Sequence, residues 1–304
     1  MTQFASPLIR RLLTASLAAG AAVTVFAATP AAAEIRLQFG LQDRDMARMV
    51  SLGGSCNRCE LSGRDLSGAA FHGAAFLNAT LVGADLSGAA LVGSNFSGSD
   101  FSRADLDGAT LNGTNFSGAN FNAASLSGVD AAGATMMRAQ FANADLSGAQ
   151  LSYVNLNGAV LSGADVSDAE LVAVTLANVR ARGTDFSGSD ISMSNLANGD
   201  FRSADFSGAT LNGARLTGGA FAGADFDGAE MNRTDIRGAD LSRARSLSQA
   251  QVGRACGDAS TRLPDGLTAR ACRGVTGLRV APPAPPRPPT PPRTRNIVVA
   301  SSGR

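Results

Sequence analysis

Gly83-Ala84-Asp85-Leu86-Ser87-Gly88-Ala89 holds the unit from which most of this 304-residue chain is built: a small residue, a polar residue, a large apolar residue, and two more that end in Gly. From position 61 to position 241 a central apolar position recurs every five residues, 37 times, with no insertion or deletion. Thirty-five of these centres are Leu, Phe, Ile, Met or Val; Ala131 and Ala181 are the exceptions. Two residues before the centre the side chain is small, with Ala in 22 of the 37 units. A period of five fits neither a helix face nor a long flat strand. It fits a short extended step closed by a corner. The small residue and the centre lie two apart, so both point inward while the residue between them points out. Gly fills the second position after the centre in 23 of 37 units, where a type II turn requires positive φ.

The number of sides per coil follows from Phe, which should stack on its like in the neighbouring coil. Phe76, Phe96 and Phe116 step by 20, as do Phe101, Phe121 and Phe141; Phe186, Phe206 and Phe226; and Phe201 and Phe221. Four units therefore close one coil, and the chain makes about nine coils. At roughly 4.8 Å per hydrogen-bonded layer the rod is on the order of 45 Å long.

These residues resemble the pentapeptide-repeat family, whose unit is Ala, then Asp or Asn, then Leu, then two variable residues. The resemblance covers 59–245 and implies an all-β solenoid, a right-handed quadrilateral β-helix; the handedness comes from the resemblance alone. Arg64 departs from it by occupying a small inward position, which calls for either a splayed first coil or a guanidinium that reaches out through the open end.

Outside the repeats the chain divides further. Residues 1–33 read as a signal peptide: Arg10 and Arg11, an apolar run over 12–26 too short to span a membrane, and Ala31-Ala32-Ala33 before Glu34. Cleavage after Ala33 places the mature chain in the periplasm or outside the cell, with no membrane span. Residues 34–58 form an N-terminal cap, with a helix expected at 43–52 and Cys56-Asn57-Arg58-Cys59 after it. Residues 246–276 form a C-terminal cap. There Ser248 and Gln251 make a capping-box pattern, and Gly257 is expected to stop the helix. Residues 277–304 form a tail expected to be disordered; eight of the chain's 11 Pro lie within 282–292, among arginines, a composition that favours polyproline II. Both caps resemble segments found beside such repeats in exported bacterial relatives.

Four Cys permit three pairings. Cys56 and Cys59 stand at one end of the rod and Cys256 and Cys272 at the other, beyond disulfide reach. Within-end structural disulfides remain, which an oxidising compartment favours. A redox motif would open a helix after a strand. A zinc site would need two more ligands, and the single His, His72, faces outward far along the chain.

No catalytic, cofactor-binding or metal-binding residue is expected, because an unbroken register leaves no loop to build a concave site. The one outward feature of note is a column just before the centres of one side: Asp65, Asp85, Asp105, Ser125, Asp145, Asp165, Asp185, Asp205 and Asp225. The column on another side reads Asn95, Asn115, Thr135, Asn155, Thr175 and Asn195 before turning to Arg215 and Asp235. Residues 60–245 carry 11 Arg against 17 Asp and 3 Glu, a net −9, whereas 246–304 carry 9 Arg against 2 Asp, a net +7. Carboxylates one coil apart repel by about 0.9 kcal/mol in water, so such a column must be solvated, hydrogen-bonded or neutralised. It is a candidate interaction stripe for a basic partner, divalent cations or the chain's own basic tail.

The reading is a non-enzymatic exported scaffold for a protein or envelope polymer, with a homodimer through the solenoid ends as one assembly. Two alternatives stand beside it: a cation-binding surface protein, and a DNA-mimicking topoisomerase protector of the same family. The family's DNA mimics act in the cytoplasm as acidic dimeric rods and often carry loops. The export signal, the Arg-rich tail and the unbroken register count against that reading, and no nucleic-acid partner is expected.

Overall fold

The structure, a computed structural model, describes residues 55–272. These lie within the compact unit Leu41–Arg304. The signal peptide, the helix expected at 43–52 and the Pro/Arg-rich tail fall outside the described residues.

Every unit extends for one step and then turns. The residue before each centre forms a parallel bridge with the residue 20 positions on, from Ser55 with Ala75 to Asp225 with Arg245. The coil is therefore four-sided over the whole repeat. Two amides sew each step to the next coil: Leu86 N–H donates to the Asp105 carbonyl (2.6 Å), and Asp105 N–H donates to the Ala84 carbonyl (2.9 Å). A third, Gly88 N–H to the Asp107 carbonyl (2.9 Å), ties the corners together.

At the second position after the centre, all 23 glycines have φ between +62° and +76°. Thirteen other residues join them with φ between +54° and +63°, Tyr153, Ala173 and Met193 included. An L side chain there costs about 1–2 kcal/mol. The inter-coil amide bonds impose the conformation, as where Met193 N–H donates to the Asn212 carbonyl (2.9 Å).

The centres fill the interior as ladders. Phe76 and Phe96 stack at 4.8 Å, Phe101 and Phe121 at 4.9 Å, Phe186 and Phe206 at 5.1 Å, and Phe201 and Phe221 at 5.1 Å. Each buried Leu or Phe contributes about 1.5–3 kcal/mol. The two undersized centres are matched by a larger neighbour two residues before: Val129 precedes Ala131 and Val179 precedes Ala181, all buried. The converse holds at Gly199 and Gly219, where a Cβ would run into the ring of Phe201 or Phe221. Inward hydroxyls are paired as well. Thr114 and Thr184 donate to the carbonyls of Leu91 (2.6 Å) and Leu161 (2.7 Å) in the preceding coil.

The first coil is not splayed at Arg64. Asp85 N–H donates to the Arg64 carbonyl (2.9 Å), and the bridge from Asp65 to Asp85 is in register. Arg64 itself is half-buried.

A disulfide stands at each end of the described ladder. Cys56 and Cys59 form a disulfide across the first corner (Cα–Cα 5.6 Å) with Arg58 at φ +58° inside it. At the other end, helix α1 (Gln249–Arg254) begins at Ser248, whose capping box with Gln251 is complete. The Gln251 amide also donates to the carbonyls of Phe226 (2.7 Å) and Ala229 (3.0 Å). Val252 and Ala255 are buried against the last coil. Gly257 does not stop this helix. The C-cap is Ala255, in an extended conformation, and Gly257 lies in strand β1 (Cys256–Gly257), parallel to β2 (Arg270–Ala271). A glycine is needed there because a Cβ would come within 2.8 Å of the Thr261 hydroxyl and 3.1 Å of the Ala269 methyl. Bridges from Asp235 to Cys256 and from Asp240 to Arg262 carry the ladder onto the cap at offsets of 21 and 22 residues. The Cys256–Cys272 disulfide (Cα–Cα 4.5 Å) locks this arrangement.

Candidate functional site

The Asp column is a set of corner braces. Each of its eight carboxylates accepts the backbone N–H two residues on. Asp65 accepts from Ser67 (3.1 Å), Asp85 from Ser87 (2.9 Å), Asp105 from Asp107 (2.9 Å) and Asp145 from Ser147 (2.9 Å). Asp165 accepts from Ser167 (2.9 Å), Asp185 from Ser187 (2.8 Å), Asp205 from Ser207 (2.8 Å) and Asp225 from Asp227 (3.1 Å). These contacts supply an acceptor for a corner amide and fix the carboxylate, as short polar side chains do in Asx turns. The gap at Ser125 is filled from the preceding coil, where Asp107 accepts Ser127 N–H (3.0 Å) and the Ser125 hydroxyl. On the Asn side, Asn95, Asn115, Asn155 and Asn195 accept the same amide at 3.0–3.1 Å. Asp or Asn at this position thus braces the corner, which also forms with Ala75, Thr135 or Arg215 in its place. At the C-terminal end of the column Arg245 approaches Asp225 (3.5 Å).

The four cysteines are all oxidised, and His72 is exposed at a corner. Among the described residues one group could hold a metal by proximity alone: Asp235, Cys256 and Cys272, whose ligand atoms lie within 4.8 Å of one another. Both sulfurs belong to the disulfide and so are not the thiolates that zinc requires. Asp235 is instead engaged by Arg237 (2.6 Å), whose guanidinium holds the carboxyl below its ordinary range. In the same cap the Asp258 carboxyl is lowered to about 2. Its first cause is the Ser260 hydroxyl, with the amides of Ser260 and Gly238 adding to it.

Sequence reasoning missed a different surface. At the C-terminal end an open groove of about 640 Å³ is lined by Met193, Asn212, Asn232, Arg233, Arg254 and Arg270. It lies along the corner column that runs Tyr153, Ala173, Met193, Gly213, Arg233 at the 20-residue spacing. Tyr153 is 71% exposed and Met193 68%. The legible signal was a run of non-Gly residues at a corner position where Gly is the rule. What the spacing could not show is that α1 and β2 bring Arg254 and Arg270 to the end of that column.

The family model for pentapeptide repeats matches in eight copies over 59–98, 99–138, 139–176, 169–208 and 204–243. No curated protein matches the chain. Among solved structures it is similar to HetL, a pentapeptide repeat protein involved in heterocyst differentiation regulation from the cyanobacterium Nostoc. The identity is 27% over 66% of this chain and 89% of that one, with a TM-score of 0.42. It is also similar to trypsin-treated QnrB1, a plasmid-mediated fluoroquinolone resistance protein, with 20% identity over 68% and 92% of the two chains and a TM-score of 0.34. A pentapeptide repeat protein from the Arabidopsis thaliana thylakoid lumen is 22% identical over 45% and 65%, with a TM-score of 0.18.

Proposed function

The chain belongs to the pentapeptide-repeat family, a family of right-handed quadrilateral β-helices, and from that premise we propose that it is an exported, non-enzymatic scaffold whose sides and corners present fixed side chains to a partner in the periplasm or outside the cell. One observation carries the reading. The ladder is unbroken from Ser55 to Arg245, so side chains hold fixed spacings along the whole surface and the repeat contributes no loop to a catalytic cleft. The two disulfides support an oxidising destination, as does the signal-like segment 1–33.

The test has two parts. Residues 1–33 fused to alkaline phosphatase, which is active only after export, should give active enzyme, and the mature chain should begin at Glu34; an inactive fusion removes the exported half of the reading. Site-specific photocrosslinkers placed on each of the four sides and corners in the native envelope should then give adducts from a subset of positions. Uniform silence from all of them removes the scaffold half. The DNA-mimic alternative, which the net −9 of residues 60–245 favours, predicts that the chain lacking residues 1–33 inhibits gyrase, and absence of inhibition removes it.

A further inference from the structure

We propose that the Tyr153–Met193 corner and the arginine groove at its C-terminal end form a docking site for a protein segment that carries carboxylates beside an apolar side chain. This rests on the scaffold reading and names the face and the class of partner. Arg233, Arg254 and Arg270 converge on the groove, all three exposed. None makes an ion pair among the described residues, a state they share with Arg58, Arg103, Arg138, Arg180, Arg215 and Arg243, but these three face one groove together. On the same side the Glu230 carboxylate accepts from the Asn212 amide (2.8 Å). Three guanidiniums with unspent donors in one groove form a receptor for carboxylates.

The apolar half is equally specific. Tyr153 and Met193 are the large hydrophobic residues exposed on the described surface. They lie two coils apart on one column, about 10 Å, and Arg233 lies two coils further on. Both hold positive φ, at +63° and +58°. Folding alone would favour Gly at each site, so these side chains stand exposed against the preference of their own backbone. Met193 extends over Gly213, whose open corner leaves room for it. Tyr, Met and Arg are the types enriched where proteins meet.

Charge identifies the occupant. The chain's own C-terminal segment, 273–304, carries six Arg and no acid, so the groove repels it. Residues 1–54 carry five Arg and three acids and offer no acidic run.

A randomised peptide library displayed on phage, selected on the full chain, tests the proposal. Enriched sequences should carry Asp or Glu beside Leu, Met or an aromatic residue. Their affinity, read by fluorescence anisotropy, should fall roughly a hundredfold on Arg233→Gln/Arg254→Gln/Arg270→Gln, as expected for loss of several charge-assisted pairs. Tyr153→Gly and Met193→Gly should each weaken binding about fivefold or more while leaving Tm equal or higher, so loss of binding cannot be read as misfolding. Selection of basic peptides, or of acidic ones whose binding ignores all these variants, would overturn the groove and spare the scaffold reading. Oligonucleotide binding as tight as the peptide's would overturn it in favour of nucleic acid. Concentration-dependent self-association abolished by the Gln variant would overturn it in favour of a second copy of the chain.

Discussion

The carboxylate of Asp85 accepts both the amide (2.9 Å) and the hydroxyl (2.7 Å) of Ser87, closing the corner that follows Leu86. The same pairing recurs in Asp65 with Ser67 and in Asp165 with Ser167. A residue pointing to solvent thus holds the turn that brings the next inward pair into place. Replacing Asp165 with Ala should cost about 0.5–1.5 kcal/mol, whereas Asp165→Asn keeps the acceptor and relieves repulsion from Asp145 and Asp185. Urea melts of the two variants should separate in that order, and equal losses would show that charge, not hydrogen bonding, maintains the column.

Leu146 is buried in mid-rod, covered by coils above and below. Leu146→Ala should destabilise by about 2–5 kcal/mol, and Leu146→Asp should abolish the cooperative transition, since the charge would have no partner in the interior. Thermal melts followed by circular dichroism read both.

Corner and core positions respond to glycine with opposite sign. Ala173 holds φ +57° at a corner, so Ala173→Gly should stabilise by about 1 kcal/mol. Gly199 lies under the Phe201 ring, so Gly199→Ala should destabilise by about 1–3 kcal/mol through overpacking. A matched pair of denaturation curves moving the same way would contradict the corner geometry.

The C-terminal cap should loosen in acid. Asp258 titrates at about 2 when folded against 3.8 ordinarily, through the hydroxyl and amide of Ser260. Asp240, bonded by Ser242, and Asp235, bonded by Arg237, are lowered too. Because the folded values lie below the unfolded ones, the stabilisation is complete above about pH 4 and is lost as pH falls through about 2. Hydrogen exchange at Gly238 N–H, which donates to Asp258 (3.2 Å), should accelerate in that window while amides of the central coils stay protected.

The Cys256–Cys272 bond closes a loop of sequence separation 16, for which chain entropy gives about 3 kcal/mol. Cys256→Ser/Cys272→Ser should lower Tm and expose the last coil to proteolysis near α1, with the repeat's circular dichroism retained. A cap as resistant as before would mean that Val252 and the Gln251 bonds suffice.

The four-sided coil, its 20-residue register and the Phe ladders were legible because each rests on a period that recurs along the chain, and inward residues two apart leave one way to close. The cysteine pairing followed from that geometry, since a rod keeps its ends apart. The column of Asp residues could be found in the sequence but not interpreted there. Whether Asp85 faced water or held an amide depended on where the corner placed Ser87.

What the amino-acid order determined by itself was the repeat, because every unit meets the same neighbours one coil away and local preference adds coherently. The cap escapes that logic. Offsets of 21 and 22 residues break the period, so only tertiary packing decided that Gly257 enters a strand and that the chain returns to set Arg270 beside Arg254 and Arg233. Residues far apart in sequence meet there through contacts made once, and no repeat announces them.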